Sequence, residues 1–278
     1  MDHSLLFSLL GFVFLASIYT SGAAADDVLF SQNYKDLWGN VGHVLHLNQD
    51  KEIQLIFDQS SGAGFISKEK YGSGMFNMKI KLPQKDTSGI ITTFYLKTER
   101  DDNRDEIDFE FLGSSSNIKL HTNIFINGQG GREQEIDLWF NPTIDFHDYT
   151  LLWNQYQIVF IVDNIPIRVF KNKTSSGGSF PTQPMNIIGT IWNAPAWIGQ
   201  VNWADAPFQA HYKGFGISGC QTQTTNDPQC QSSNLWWNEE KYWKLDSAQQ
   251  KEYENVRSKY LVYDYCSKIA SSSPECQN

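Results

Sequence analysis

The sequence lacks a cluster of basic residues. Its 278 residues include 22 Lys and Arg against 31 Asp and Glu, which gives a formal net charge of −9. Proteins that bind nucleic acids or anionic membrane surfaces concentrate Lys and Arg on one face or in one segment. The acidic balance therefore argues against both partners, and we expect neither nucleic acid nor membrane binding.

Cysteine is missing from the first 219 residues, and the four that follow are Cys220, Cys230, Cys266 and Cys276. An even number favours disulfides in a secreted chain, and four cysteines allow three connectivities. Zinc binding is the alternative, but no Cys-x-x-Cys pair supports it. We expect two disulfides, each contributing about 2–3 kcal/mol, and neither a metal nor a cofactor.

Long apolar runs are also missing, except at the amino terminus. Residues 5–19 are nearly all apolar and are followed by small residues at positions 21–25. A run of about 15 apolar residues falls short of the ~20 that a membrane-spanning helix needs. An apolar core followed by small residues is instead typical of a secretory signal. We expect residues 1–25 to be a signal peptide and the mature protein to be secreted and soluble.

A row of acids is the most informative feature that the sequence does contain. Residues 105–113 read Asp-Glu-Ile-Asp-Phe-Glu-Phe-Leu-Gly. Because side chains alternate between the two faces of a strand, Glu106, Asp108 and Glu110 share one face and apolar side chains occupy the other. Neighbouring carboxyls raise the cost of ionising one another. Two carboxyls with separated pKa values are what a retaining glycosidase uses, one as nucleophile and one as proton donor.

A solvated strand face and a calcium site are the alternatives for these acids. Solvated faces usually mix Lys, Thr and Ser among the acids, and calcium loops carry Gly and Asn at turn positions. Distance limits the catalytic interpretation, because Glu106 and Glu110 lie about 13 Å apart along an ideal strand. Retaining enzymes hold their carboxyls about 5–5.5 Å apart. Catalysis therefore requires a concave sheet on which the two side chains lean together.

Strand signals recur through the middle of the chain. Apolar and polar residues alternate over 76–82 and again over 118–126. Residues 157–170 predict a hairpin with Asp163-Asn164 at its turn. Short strands between turn signals are typical of an antiparallel all-β sandwich. We expect that sandwich to occupy residues 26–219.

The residue composition changes after Cys220, where a polar, turn-rich segment begins. Residues 247–260 predict a helix, with Asp246 as its N-cap and Gln249 placed to reach back to the cap. Tyr253, Val256 and Tyr260 recur at helical spacing and are expected to pack on the sandwich. We expect residues 220–278 to form a disulfide-linked extension that contains this helix.

Several motifs in one order resemble a known family. Besides the acidic strand they include residues 71–76, 94–96, 132–134, 138–143, 162–170 and 192–193, within a match that runs from about Gln32 to Cys276. The chain resembles glycoside hydrolase family 16, and within it the plant xyloglucan endotransglucosylase/hydrolases. The resemblance implies a curved jelly roll whose concave sheet forms an open cleft, lengthened by the extension on the acceptor side. It also supports local pairing of Cys220 with Cys230 and of Cys266 with Cys276.

The same resemblance implies roles for individual residues. Glu106 would be the nucleophile, Glu110 the general acid/base and Asp108 a helper between them. A second set would bind the polysaccharide donor and acceptor, with core packing as the alternative for each tryptophan: Tyr95, His121, Asn123, Arg132, Glu133, Trp192 and Trp197. A monomer in the cell wall or apoplast is expected.

Four departures from the family pattern lie along the expected groove. Arg104 stands where relatives usually show His, and His121 where Gln is usual. Pro195-Ala196 replaces two acids before Trp197, and the loop over 198–201 is shorter than the glycine-rich version in relatives. These changes leave the donor and acceptor glucans open, and a shift towards cellulose-like or mixed-linkage chains is one hypothesis.

The sequence leaves three candidate functions. A retaining endo-transglycosylase acting on a β-1,4-glucan, xyloglucan first, ranks highest. An endo-β-glucanase using the same carboxylates ranks second, because only product analysis with and without acceptor separates the two. A lectin-like module without turnover ranks third, since all three acids are present.

N-glycosylation is predicted at one position. Asn172-Lys173-Thr174 fits the acceptor pattern, whereas Asn141-Pro142-Thr143 is blocked by its proline. Mass spectrometry of the secreted protein should therefore find at most one N-glycan, attached to Asn172. A glycan at any other asparagine would contradict the prediction.

Overall fold

The computed structural model describes residues 27–269 and 273–277. The predicted signal peptide at residues 1–25 lies outside this part of the chain. Among the described residues, none of the helices has both the length and the apolar character needed to cross a membrane.

Two antiparallel sheets make up most of the described chain. The first sheet contains, in spatial order, β1 (Tyr34–Gly39), β4 (Ala63–Ser67), β13 (Asn186–Asn193), β6 (Ile90–Lys97), β7 (Glu106–Leu112), β8 (Lys119–Phe125), β9 (Gln134–Asp137) and β16 (Leu261–Asp264). The second contains β12 (Ile165–Lys171), β11 (Gln157–Val162), β10 (His147–Trp153), β5 (Tyr71–Lys81), β14 (Phe208–Lys213), β3 (Glu52–Phe57) and β2 (Val44–Leu47), and β15 (Ser218–Gln221) also pairs with β5.

The inner faces of the two sheets enclose an aromatic core. Phe109 on β7 stacks on Phe94 of β6 at 6.2 Å between ring centroids. Its ring also meets Phe160 and Tyr149 of the second sheet edge-on, at 5.2 and 5.7 Å. Such edge-to-face pairs add to the free energy gained by burying the rings. The predicted all-β sandwich is confirmed, and β7 lies near the middle of its first sheet.

The predicted hairpin is also confirmed. β11 and β12 are joined by Asp163 and Asn164, whose φ angles are 48° and 67°. Two consecutive positive φ values are the signature of the tight turn whose twist matches paired strands, and Asn and Asp tolerate that conformation better than other side chains.

Helices are few and mostly short: α1 (Phe30–Asn33), α2 (Pro195–Ile198), α3 (Ser247–Tyr260) and α4 (Cys266–Ile269), with 3₁₀ turns at Thr174–Ser176, Trp203–Asp205, Pro228–Gln231, Trp236–Asn238, Glu240–Tyr242 and Pro274–Cys276. The predicted bounds of α3 are correct. Its apolar side packs on the sandwich through Val256, which is buried, and through Tyr260, whose ring lies 5.5 Å from that of Trp139.

The extension wraps around the sandwich and adds to it. Its strand β16 pairs with β9 and so extends the first sheet by one strand. Trp237 is buried against Leu152, Val159 and Ile161 on the outer face of the second sheet. The disulfides Cys220–Cys230 and Cys266–Cys276 are both present, which confirms the local pairing.

The cap of α3 gives a stability prediction. Asp246 accepts hydrogen bonds from the backbone of Ala248 and Gln249, both at 2.8 Å, and the Gln249 side chain accepts from the Asp246 backbone at 3.0 Å. Asp246→Ala should lower the free energy of unfolding by about 1 kcal/mol, measured by urea denaturation. Asp246→Asn keeps the acceptor and is the control. An alanine variant as stable as the asparagine variant would show that the cap contributes little.

Candidate active site

The strand β7 carries the acids on the face opposite the aromatic core. Ile107, Phe109 and Phe111 are buried between the sheets, so the pleat turns the three carboxyls to the outer face of the first sheet. The strands β6 and β8 flank β7 on either side. Their side chains directly opposite the carboxyls are Thr93, Tyr95 and Lys97 on β6, and His121, Asn123 and Phe125 on β8.

A cavity of about 250 Å³ opens over this face. Its lining includes five residues that the sequence singled out: Tyr95, Glu106, Asp108, Glu110 and Trp192. Three further lining residues come from β1, β6 and β13: Trp38, Thr93 and Thr190. The structure therefore brings all three carboxyls to one cavity that aromatic rings border.

Asp108 is the most buried of the three acids, with 2% of its surface exposed. Burial raises the pKa of its carboxyl well above the usual range, and the charges of Glu106 and Glu110 raise it further. Neither of its oxygens accepts a hydrogen bond from the described residues. A protonated carboxyl accounts for the missing donors, because a neutral acid needs an acceptor, and hydrogen bonding with Glu106 is among the causes that raise the Asp108 pKa.

Glu110 is held in a protonated state over a wide pH range. Burial, together with the negative charges of Glu106 and Glu133, raises the pKa of its carboxyl to about 7. A carboxyl with this pKa can give a proton at neutral pH and take one back, which is the property of a general acid/base.

Glu106 has a cationic partner. Its Oε2 accepts a hydrogen bond from Nε of Arg104 at 2.5 Å. The Arg104 guanidinium also lies over the ring of Phe125, 4.1 Å from its centroid. The row therefore holds Glu106 in an ion pair beside two carboxyls whose pKa values burial and repulsion raise.

Comparisons with known proteins agree with this arrangement. The model for glycosyl hydrolases family 16 matches residues 30–213, and the model for the xyloglucan endo-transglycosylase C-terminus matches residues 231–267. The chain belongs to the xyloglucan endotransglucosylase/hydrolases. It is 49% identical to xyloglucan endotransglucosylase/hydrolase protein 2 of Arabidopsis thaliana, over 94% of this chain and 91% of that one. Protein 3 of the same plant is also 49% identical, over 90% and 89% of the two chains.

A solved structure supports the fold of this xyloglucan endotransglucosylase/hydrolase family member. The β-glucanase of Bacillus licheniformis superposes with a TM-score of 0.58 at 24% identity, covering 68% of this chain and 93% of that one. The shared architecture is the β-jelly roll, so the predicted fold class is confirmed.

The sequence did not predict three of the lining residues: Trp38, Thr93 and Thr190. Thr93 precedes Tyr95 by two positions on β6, so strand alternation alone would have placed it on the same face. Its Oγ1 lies 2.7 Å from Oγ1 of Thr190 on the next strand. Trp38 has no local signal, because it lies on the edge strand β1 and packs over Gly64 of β4. A Cβ at Gly64 would lie 2.7 Å from the Trp38 ring, so only glycine leaves room for it.

Three other expected sugar-binding residues lie beside the cavity rather than in it. Nε2 of His121 is 2.9 Å from Oε2 of Glu135, and the His121 ring lies 6.1 Å from that of Trp197. Asn123 is buried and donates to Oε1 of Glu133 at 3.1 Å. Trp197 is 49% exposed on α2. His121 and Asn123 continue the same outer face from β8 towards β9, and Trp197 approaches this face from α2.

Arg132 is placed differently from the expectation. Its Nε donates to Oε1 of Glu275 at 2.7 Å, and Nη1 donates to the carbonyl oxygen of Gln129, also at 2.7 Å. The guanidinium therefore joins the first sheet to the extension and does not line the cavity.

The predicted glycosylation residue is remote from the carboxyl row in the fold, since Asn172 follows β12 in the second sheet. Its Nδ2 donates to the carbonyl oxygen of Gln155, and its Oδ1 accepts from the backbone of Thr174. In the described part of the chain no group of three or more His, Cys, Asp or Glu side chains is placed to hold a metal ion.

The charge of Glu133 gives a pH prediction for this family member. Because that charge helps to keep Glu110 protonated, Glu133→Gln should lower the pKa of Glu110 and move the basic limb of kcat/KM to lower pH. The expected shift is a few tenths of a unit up to about one unit.

A matched control for this prediction is Asp137→Asn, which also removes one negative charge from the β9 region. Asp137 pairs instead with Lys119. An equal shift in both variants would mean that the limb follows net charge and not the specific effect of the Glu133 charge on Glu110.

Proposed function

We propose that this protein is a retaining endo-transglycosylase that cleaves the backbone of xyloglucan and joins the fragment to a second glucan chain. The observation that carries the proposal is that Glu106 and Glu110 differ in their electrostatic environments. Glu106 is the paired anion, and Glu110 is an acid whose pKa is raised to about 7. The two line one cavity. The names of the relatives, xyloglucan endotransglucosylase/hydrolases, support the substrate.

The first step forms a glycosyl-enzyme. An oxygen of Glu106 attacks the anomeric carbon while the glycosidic carbon–oxygen bond breaks, and Glu110 gives its proton to the departing oxygen. Asp108 stays neutral and donates to Glu106, which orients the nucleophile without adding a second charge. Glu110 is then an anion, and Glu106 is an uncharged ester.

The second step returns the enzyme to its starting state. Glu110 takes the proton of an acceptor hydroxyl, whose oxygen bonds to the anomeric carbon as the ester bond to Glu106 breaks. Transfer to a sugar competes with transfer to water, so it requires an acceptor held in position, where its effective concentration exceeds that of solvent. Exposed rings suit this purpose, because the faces of sugar rings are apolar: Trp38, Trp192 and Trp197.

Hydrolysis is the second candidate. The same carboxyl row supports it, and the names of the relatives include it. The departures at Arg104 and His121 lie beside the carboxyl row, and a cellulose-like or mixed-linkage donor is the alternative to xyloglucan. We further propose that the protein acts outside the cell, in the plant cell wall, where donor and acceptor polysaccharides occur together. The signal expected at residues 1–25 supports secretion.

The nucleophile is tested by Glu106→Gln, which preserves size and removes the charge. Transfer of labelled xyloglucan oligosaccharides into polymeric xyloglucan should fall on the order of 10³-fold or more, and hydrolysis should fall with it. The control is Glu99→Gln, because Glu99 is an exposed glutamate just after β6 that pairs with Lys70 and not with the carboxyl row. Transglycosylation that survives in Glu106→Gln would refute the assigned role.

The reaction and the donor are tested together on the unmodified protein. Labelled oligosaccharide acceptor is incubated with xyloglucan, a soluble cellulose derivative or mixed-linkage glucan, and the size distribution of the label is followed. Label that appears in polymer demonstrates transfer and identifies the donor. Shortening of the polymer without incorporation of label demonstrates hydrolysis. Polysaccharide binding without either product would favour the carbohydrate-binding module instead.

A further inference from the structure

Arg104 is not one of the groups that cleave or re-form the glycosidic bond, yet it binds one of them. It lies two positions before Glu106, just ahead of the start of β7, and its side chain reaches the Glu106 carboxylate. Its Nε lies 2.5 Å from Oε2 of Glu106, and both side chains are mostly buried. A charge-assisted hydrogen bond in such a setting is stronger than one in open solvent.

Two further contacts fix the guanidinium in place. Phe125, the cross-strand neighbour of Glu106 on β8, lies under it at 4.1 Å. Nη1 also approaches the carbonyl oxygen of Asp101 at 3.5 Å. Arginine stacks on aromatic faces because its cation is planar and weakly hydrated. The ion pair with Glu106 is therefore preorganised rather than formed by a free side chain.

The other cation near Glu106 is engaged elsewhere. Lys97 is the cross-strand neighbour of Glu106 on β6, but its Nζ lies 2.6 Å from Oδ1 of Asp101. Arg104 is thus the residue that carries the counter-charge of the nucleophile. Its charge also reaches along the row, where it opposes the burial and the two glutamate charges that raise the pKa of Asp108.

We propose that Arg104 is a positioning residue for this reaction: it holds Oε2 of Glu106, leaves Oε1 to attack, and favours release of Glu106 from the glycosyl-enzyme. The inference rests on the proposed function, in which Glu106 is the nucleophile. It adds a residue that sets the balance between the two steps of the reaction.

The balance follows from where the charge resides. Free Glu106 is an anion and is stabilised by Arg104, whereas the ester in the glycosyl-enzyme is uncharged and gains little from it. The transition states lie between these limits. Loss of Arg104 therefore raises the free energy of the free enzyme most, which speeds formation of the glycosyl-enzyme relative to its breakdown. The glycosyl-enzyme then accumulates.

The test uses an aryl glycoside of a xyloglucan oligosaccharide as donor, with an unlabelled oligosaccharide as acceptor. Phenol release reports formation of the glycosyl-enzyme, and the steady-state rate reports its breakdown. Arg104→Gln should show a burst of about one phenol per active site, then a steady-state kcat lowered on the order of tenfold. The donor KM should fall in parallel, as expected when an intermediate accumulates. Arg104→Lys, which keeps the charge, should restore the steady-state rate.

The matched control is Arg100→Gln. Arg100 pairs with Asp102 at the same two-residue spacing, at 3.1 Å, but both side chains are exposed. Its kinetics should be unchanged.

Three results would overturn the proposal: burst and steady-state rates that fall together, a lysine variant no better than the glutamine variant, or the same change in Arg100→Gln. If the unmodified protein releases no phenol, the proposed function itself fails, and this outcome is distinct from those three.

Discussion

Repulsion among three carboxyl groups on one face of β7 is the constraint on which the site depends. In a partly buried cavity the three cannot all be ionised, because each charge raises the free energy of the next. In the structure, the three carboxyls differ in burial and in their charged partners. Asp108 is buried and neutral, Glu110 is protonated up to about pH 7, and Glu106 is the anion that Arg104 pairs. Repulsion within the row therefore accounts for both a nucleophile, Glu106, and a proton donor, Glu110.

The fold provides the rigidity that this conflict requires. The inward side of β7 is anchored by Phe109, whose ring touches aromatic side chains from both sheets. Burial of one such side chain contributes about 1.5–3 kcal/mol, so displacing the strand to relieve the repulsion would sacrifice this contribution. The β-strands on both sides complete the hydrogen bonding of β7, which leaves its backbone no freedom to adjust.

The extension is part of the same sheet rather than an appended module. Strand β16 pairs with β9, and Arg132 binds Glu275 from across the boundary. Because β9 also carries Glu135, the partner of His121, the extension is connected by two short steps to the residues opposite Glu110. A longer sheet gives a longer cleft face. This suits an enzyme that must bind an acceptor chain while the donor is covalently attached.

Local patterns in the sequence determined a large part of this protein. Alternation placed the three acids on one face and the apolar residues of β7 on the other, Asp163-Asn164 specified a hairpin turn, and Asp246 with Gln249 set the start of α3. Each of these features depends on residues within a few positions of one another, where pleat, turn and capping geometry act directly.

Tertiary structure alone decided which distant residues meet the acids. Trp38 reaches the cavity because β1 pairs with β4 and Gly64 leaves space beneath its ring. The charge of Glu133 acts on Glu110 only because β8 and β9 lie side by side, and Arg132 turned to the extension because Glu275 folds back onto it. The physical reason is sequence separation: strand pairing and burial between remote segments set these contacts, and no local period in the chain encodes them.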